Sequence, residues 1–261
     1  MVVFFDIDGT IVDDRTQKIP ESTVRAVARL REGGHIPVIN TGRPYSHIDP
    51  RVRAMAFSGF VCGCGMEVIL DGKYLYENYP DTALCTLVRD TVRDCRMQVL
   101  YETRDGAILT DGELSTHRFE VMEVNRMKKK GFEVKEIDSL PQPSFMKLVT
   151  FDGPGCRHEE FKARMEPYYT CIERGYTMLE LVKKGCSKAK GMEILLSALG
   201  ASREEAFAIG DSTNDLPMFE MARHTVCMGG GMEELKARAE YITAPVLEDG
   251  IEKALQHYGL I

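Results

Sequence analysis

The fold of this chain is decided by the stretch MVVFFDIDGT, residues 1–10. Residues 2–5 and Ile7 are apolar on both faces, which is typical of a strand buried in a parallel sheet that helices cover on both sides. Residues 20–31 follow as a predicted helix with Pro20 near its start, and residues 36–40 as a second strand. This order of strand, helix and strand favours a right-handed parallel crossover.

The same alternation returns towards the other end of the chain. A strand at 60–62 precedes a hairpin whose strands, 68–70 and 74–76, flank Asp71-Gly72, a pair that favours a type I′ turn. Further helices are predicted at 191–199, 215–222, 233–239 and 250–258, and further strands at 206–209, 225–228 and 241–243. The pattern predicts an α/β fold with a Rossmann-like, doubly wound parallel sheet.

Residues 81–183 show a different pattern. Helices are predicted at 81–96, 115–130 and 158–166, and strands at 98–102, 107–110, 145–151 and 177–182. We interpret this region as a smaller α/β domain inserted into a core made of residues 1–80 and 184–261.

Composition narrows the class of protein. The 261 residues are 44% hydrophobic and 28% charged, which excludes a disordered chain. No apolar segment approaches the ~20 residues that span a membrane, and no signal peptide is predicted because Asp6 and Asp8 interrupt the first apolar stretch. The net charge of -7 argues against a nucleic-acid partner. The eight cysteines contain no C-x-x-C pair, which favours reduced thiols in a cytoplasmic protein.

Two carboxylates follow the first strand on the same side of the chain. The Cα atoms of Asp6 and Asp8 should lie about 6–7 Å apart at the carboxyl end of a parallel strand, where open α/β sheets bind ligands. Carboxylates this close repel each other unless a cation or a shared proton lies between them. By itself, the D-x-D pattern is equally compatible with an acidic turn that caps a helix.

Three later segments favour a ligand site over a cap. TGRP (41–44) directly follows the second strand, and GDSTND (210–215) follows the predicted strand 206–209. Lys188 precedes the predicted helix 191–199. This helix leads away from the sheet edge, and strand 206–209 returns over about the same distance. Lys188 can therefore lie at the same edge of the sheet as residues 41–44 and 210–215. Carboxylates with hydroxyl neighbours suit Mg²⁺, which is therefore the predicted cofactor.

These segments, in this order and with a domain inserted between the second and the third, resemble the haloacid dehalogenase-like phosphatase superfamily. The pattern Gly210-Asp211-x-x-Asn214-Asp215, followed by Met228 and by EDGI (248–251), is similar to its Cof-type sugar-phosphatase branch. The insert matches the large α/β cap of that branch in length and position. The resemblance implies Mg²⁺-dependent hydrolysis of small phosphomonoesters, above all sugar phosphates.

The resemblance also implies a role for each site residue. Asp6 would attack phosphorus and form an aspartyl-phosphate, and Asp8 would act as general acid and then as general base. Lys188 would neutralise the developing negative charge. Phosphate would be held by Thr41, Gly42, Arg43 and Asn214. The residues at the metal would be Asp6, Asp8, Asp211 and Asp215. Asp8 would contribute its backbone carbonyl. Asp215 would orient Lys188 or a metal-bound water.

Three features leave alternatives open. Lys190 competes with Lys188 for the cationic role, although the distance of Lys188 from Asp211 along the chain matches the family pattern. Arg43 either contacts phosphate or anchors its loop. Where the branch has an Asn-Gly-Ala-like segment after the third strand, this chain has Cys64-Gly65-Met66, which puts a substrate contact there in doubt.

The insert is expected to close over the site and to select the leaving group, with Arg104, Asp105, Arg118 and Glu180 as candidate contacts. The predicted partner is a small phosphorylated metabolite, a sugar or polyol phosphate first, with pyridoxal phosphate or a nucleotide as alternatives. The chain is expected to be a monomer or a weak homo-oligomer. Two rival functions remain, a phosphomutase with the same core and a catalytically silent sugar-phosphate-binding protein.

Overall fold

The computed structural model describes residues 1–112, 118–129, 131–175 and 177–261. Two compact units make up the chain: a core unit of Met1–Glu77 and Ser187–Ile261, and an insert unit of Asn78–Cys186. Residues 78–80 and 184–186 therefore belong to the insert unit, whereas the sequence pattern predicts them in the core. They do so because Lys183 Nζ donates to Asn78 Oδ1 at 2.6 Å and Asn78 Nδ2 contacts Cys186 Sγ at 3.3 Å.

The core unit contains the predicted doubly wound sheet. Its strands are β1 (Val2–Phe5), β2 (Ile36–Asn40), β3 (Gly59–Cys62), β4 (Glu67–Leu70), β5 (Lys73–Glu77), β12 (Ala206–Gly210), β13 (His224–Cys227) and β14 (Tyr241–Ile242). They lie in the order β14-β13-β12-β1-β2-β3-β4-β5. Pairing is parallel from β14 to β3 and antiparallel from β3 to β5. The predicted α/β fold class is confirmed.

Helices cover both faces of this sheet, which explains why β1 is apolar on both sides. The helices are α1 (Glu21–Glu32), α2 (Pro50–Arg53), α6 (Lys188–Leu199), α7 (Leu216–Met221), α8 (Glu233–Lys236) and α9 (Gly250–His257). Val3 and Phe5 pack in a cluster with residues of α1 and α9. Phe4, from the other face, packs in a second cluster with residues of α6 and α7.

The insert unit is a second α/β layer structure with its own core. Its helices are α3 (Thr82–Asp94), α4 (Arg118–Lys129) and α5 (His158–Met165), and its strands are β6 (Gln98–Glu102), β7 (Ile108–Thr110), β8 (Val134–Glu136), β9 (Lys147–Phe151), β10 (Tyr169–Glu173) and β11 (Met178–Lys183). The sheet order is β10-β11-β9-β6-β7-β8. Val88, Tyr101 and Phe161 lie in its buried cluster.

The sequence prediction omits two strands of the insert unit, β8 and β10. Residues 115–117 and 130 of the predicted helix 115–130 lie outside the described residues. None of the helices in the described ranges combines the length and the apolar character that crossing a bilayer requires.

Candidate active site

The carboxyl ends of β1, β2 and β12 bring three of the predicted segments together. These strands are parallel neighbours, and the Asp6 amide donates to Ile209 O at 3.0 Å, so Asp6 and Asp211 continue adjacent strands at the same edge. Gly9, with a φ of 72°, makes the turn that follows. A Cβ at this position would lie 2.4 Å from Asp211 Oδ2, so only glycine allows so close an approach.

Lys188 reaches this edge from the first turn of α6. The Ser187 side chain caps the helix by accepting from the Lys190 amide at 3.0 Å. The Lys188 ammonium is buried and lies 2.7 Å from Asp6 Oδ1 and 2.5 Å from Asp215 Oδ1. Burial alone would lower the pKa of Lys188, but the carboxylates of Asp215 and Asp6 raise it above its usual range. The ammonium therefore stays charged between these two carboxylates.

Asp215 organises the loop that carries Asp211. Its Oδ2 accepts from the amides of Asp211 at 2.9 Å and Ser212 at 3.1 Å, while its Oδ1 accepts from Lys188. Asn214 lies beside it, with Oδ1 at 3.5 Å from Lys188 Nζ. Because both Asp215 oxygens already accept hydrogen bonds, this carboxylate is placed to orient Lys188 and the loop.

The acidic residues at this edge fit a divalent cation. Asp6, Asp211 and Asp215 each have a carboxylate oxygen within 4.8 Å of the others. Burial raises the pKa of Asp6 to about 7 despite the opposing effect of Lys188. Burial and the charges of Asp6 and Asp215 raise the pKa of Asp211 to about 8. These carboxylates repel each other, and hard oxygen donors of this kind are the ligands that Mg²⁺ prefers.

Asp8 and Arg43 form an ion pair next to this cluster. Arg43 Nε donates to Asp8 Oδ2 at 2.7 Å, and its Nη2 donates to Asp8 Oδ1. The Asp8 side chain is 42% exposed, so it faces the opening of the site rather than the buried cluster. The Asp8 carboxylate is therefore held by Arg43 and does not belong to the buried acidic cluster. Arg43 lies beside Thr41, whose Oγ1 accepts from the Arg43 amide at 3.2 Å.

The structure separates the two competing lysines. Lys190 Nζ pairs with Glu193 at 2.7 Å and its side chain is 45% exposed, whereas Lys188 is buried among carboxylates. Thr41 lies at the edge of the sheet, with its amide bonded to Val61 O at 2.8 Å, and Gly42 follows it in the chain. The predicted site residues of the core unit thus lie together at one edge of the sheet, whereas the Lys190 side chain lies away from them.

Sequence reasoning missed two polar residues of this edge as members of the site. Thr10 Oγ1 donates to Asp211 Oδ1 at 3.2 Å, and Asn40 Nδ2 donates to Lys188 O at 3.2 Å. The sequence carries a signal for each: Thr10 closes the opening acidic motif, and Asn40 is a polar residue at the end of an apolar strand, although the sequence does not show its partner.

The candidate contacts in the insert unit differ among themselves. Glu180 is buried and pairs with Lys147 and with Arg174, whose Nε donates to it at 2.8 Å. Arg104 and Asp105 instead line a cavity of about 430 Å³ within this unit. The Arg118 side chain lies outside the described residues.

Comparisons with known proteins indicate one family over the whole chain. A family model of haloacid dehalogenase-like hydrolases matches residues 3–255. "Putative phosphatase YkrA" of Bacillus subtilis (strain 168) is 30% identical over 264 residues, covering 100% of this chain and 98% of the relative. The 5-amino-6-(5-phospho-D-ribitylamino)uracil phosphatase YitU of the same organism is 26% identical over 269 residues, covering 98% and 97%.

A solved structure extends the comparison to the fold. The subclass IIB sugar phosphatase BT4131, of the haloacid dehalogenase superfamily, matches with a TM-score of 0.81 at 24% identity. The match covers 100% of this chain and 99% of the other.

Proposed function

We propose a substrate class and residue roles for this protein, which belongs to the haloacid dehalogenase-like hydrolase family and is a phosphatase of its Cof type. It hydrolyses small phosphomonoesters, sugar phosphates above all, through a phosphoryl group carried on Asp6. The observation that supports this most is the buried Lys188 ammonium, which lies within 2.7 Å of Asp6 and 2.5 Å of Asp215. A lysine held there neutralises charge where a phosphate dianion would meet a carboxylate.

The first half-reaction transfers the phosphoryl group to the protein. An Asp6 carboxylate oxygen attacks phosphorus, the bond from phosphorus to the leaving oxygen breaks, and Asp8 donates a proton to that oxygen. Asp8 lies two residues from Asp6 and is partly exposed, so a leaving group can reach it. The product alcohol departs and Asp6 carries the phosphoryl group.

The second half-reaction releases phosphate. Asp8, now a carboxylate, removes a proton from water, the water oxygen attacks phosphorus, and the bond to the Asp6 oxygen breaks. Lys188 offsets the charge on the transferring group in both steps, and Thr41, Gly42 and Asn214 hold its oxygens. Arg43, which is paired with Asp8 and adjacent to Thr41, positions Asp8 beside the phosphate loop.

A divalent cation fits the same edge. Asp6, Asp211 and the backbone carbonyl of Asp8 are the proposed Mg²⁺ ligands, and Asp215 orients Lys188 and the loop. When bound, Mg²⁺ would shield the repulsion between substrate phosphate and these carboxylates.

The insert unit is proposed to select the leaving group, through Arg104 and Asp105 on its cavity. Sugar phosphates come first because the fold matches that of a sugar phosphatase and the insert has the expected size. We place the protein in the cytoplasm because all eight cysteines are free thiols.

The test is phosphate release from a panel of sugar phosphates, polyol phosphates, pyridoxal phosphate and nucleotides, with Mg²⁺ or with EDTA. We expect turnover of at least one sugar phosphate with Mg²⁺ and none with EDTA. A phosphomutase would need a bisphosphate activator and would return the phosphoryl group to sugar. A folded protein that binds sugar phosphates but turns over no phosphomonoester with Mg²⁺ present contradicts the proposal.

A further inference from the structure

Asn40 is a buried amide at the end of an otherwise apolar strand. It has no exposed surface, and its Nδ2 donates to the backbone carbonyl of Lys188, the first residue of α6, at 3.2 Å. Its Oδ1 has no hydrogen-bond partner in the part of the chain that the structure describes. A buried oxygen without a hydrogen-bond partner lowers the stability of the folded state. For stability alone, an apolar side chain would therefore be better at this position of β2. The hydrogen bond from Asn40 to the Lys188 carbonyl gives the amide a different role.

The turn at residues 63–66 holds the same end of α6 from another side. A Cβ on Gly65, whose φ is 85°, would lie 2.2 Å from the carbonyl oxygen of Ser187. A Cβ on Gly191 would lie 2.1 Å from Val61 Cγ1. The first turn of α6 therefore approaches β3 and this turn at a distance that only glycine permits.

The same turn is also bonded to the phosphate-binding loop. The Gly63 amide donates to Arg43 O at 2.8 Å, and the Cys64 amide donates to Thr41 O at 3.1 Å. A single short turn thus contacts the loop that carries Thr41 on one side and the helix end that carries Lys188 on the other.

We propose that Asn40 and the turn at residues 63–66 are positioning elements that fix the Lys188 ammonium relative to Asp6 and the Thr41 loop. This inference rests on the proposed function, because Lys188 and Thr41 act on the same phosphoryl group. It gives Cys64-Gly65-Met66, the segment that departs from the family pattern, a role in the backbone geometry of the site. The catalytic residues stay those already named, and Asn40 acts through Lys188.

The first test pairs Asn40→Leu with Val38→Ala. Both residues lie on the same face of β2, and Val38 packs in one cluster with residues of α6 but makes no bond to the Lys188 carbonyl. We expect Asn40→Leu to lower kcat about 10-fold to 100-fold, with KM nearly unchanged and Tm not lowered. Val38→Ala should lower Tm through its cavity and leave kcat unchanged.

The second test pairs two glycines with similar backbone conformations. Gly65→Ala and Gly72→Ala carry the same strain of a positive φ, 85° and 74°, but nothing lies within 4 Å of a Cβ at Gly72. Both variants should lose Tm through the backbone strain, Gly65→Ala by more because of its contact with Ser187 O, and only Gly65→Ala should lower kcat. Equal kcat for the two variants overturns the role of the turn.

Crystal structures of the wild type and Asn40→Leu supply a readout that does not depend on turnover. The distance from Lys188 Nζ to Asp6 Oδ1, 2.7 Å here, should lengthen in the variant. An unchanged distance, or a loss of Tm with unchanged kcat, overturns the inference while leaving the proposed function intact. A wild type without phosphatase activity contradicts the proposed function, and the distance still tests the positioning.

Discussion

Each unit of this molecule contains a buried lysine paired with carboxylate, and the two clusters are built in opposite ways. In the core cluster, Lys188 lies between Asp6 and Asp215, with Asp211 close by. In the insert cluster, the carboxylate is at the centre: Glu180 pairs with Lys147 and with Arg174 Nη2 at 2.7 Å.

The pKa values of the carboxylates separate the two clusters. Burial raises the pKa of Asp6 to about 7 and that of Asp211 to about 8, because one lysine does not offset the neighbouring carboxylates. Burial acts on Glu180 in the same direction, but Lys147 and Arg174 outweigh it and lower its pKa to about 2. A further cation would therefore stabilise the ionised core cluster, whereas the Glu180 carboxylate already has its partners. Under the proposed function, similar residue types serve the reaction in the core unit and stability in the insert unit.

Asp6→Asn should give the largest effect. The amide keeps the shape of the side chain but is not a nucleophile, so we expect kcat to fall about 1000-fold or more. Tm should not fall, because the substitution removes a charge from a crowded cluster. Phosphate release and thermal unfolding measure the two effects. Asp13→Asn, an exposed turn carboxylate, is the matched control and should keep wild-type activity. Wild-type turnover by Asp6→Asn would exclude Asp6 as the nucleophile.

Glu180→Gln should show the opposite behaviour, a loss of stability. The substitution removes the buried Glu180 charge that pairs with Lys147 and Arg174, and we expect the free energy of unfolding to fall by about 3–5 kcal/mol in urea titrations. The control is Glu173→Gln, because Glu173 is exposed and paired with Lys162. This variant should leave the free energy of unfolding unchanged.

The loss on Glu180→Gln should depend on pH. The pKa of Glu180 lies below its ordinary value of 4.5, so the folded state gains stability from the carboxylate above pH 4.5 and loses it as pH falls towards 2. The difference between wild type and variant should therefore be full at neutral pH and shrink in acid. A difference that grows in acid would contradict the assignment.

Mg²⁺ should stabilise the protein only through the core cluster. At a concentration about ten times its dissociation constant, Mg²⁺ should raise the free energy of unfolding by about 1.4 kcal/mol. Asp211→Asn should abolish this gain in thermal unfolding, and Glu180→Gln should retain it. Equal stabilisation of wild type and Asp211→Asn would place the metal elsewhere.

Lys190→Met should give the smallest effect. Lys190 is exposed and paired with Glu193, so kcat and KM should both stay at wild-type values in phosphate-release assays. Lys188→Met should lose activity by contrast. A comparable loss in both variants would reopen the choice between the two lysines.

Much of the core could be predicted because its signals are local and strong. An apolar strand that ends in Asp6-Ile7-Asp8-Gly9 indicates a parallel sheet edge, and later polar segments meet the same edge because parallel strands end together. Lys188 and Lys190 could not be separated from composition. The structure separates them because α6 begins at Lys188, and residues two apart on a helix face different directions.

The insert unit was harder to predict for a physical reason. Strands β8 and β10 escaped the sequence analysis because they are the two edges of their sheet, where one side is uncovered and polar residues are tolerated. The pairing of Asp8 with Arg43 was also beyond pattern reading, because it joins side chains from two loops. The contact of Asn40 with the site could not be predicted because its hydrogen-bond partner is the backbone carbonyl of Lys188, far along the chain.

The most direct measurement is to quench the turning-over protein in acid and locate the phosphoryl group by mass spectrometry. In the presence of Mg²⁺ and a sugar phosphate that is turned over, we expect the phosphoryl group on the peptide that contains Asp6. We expect no phosphorylated peptide from the Asp6→Asn variant. Phosphate release without any phosphorylated peptide, or with the group on a different side chain, would contradict the roles assigned to Asp6 and Lys188.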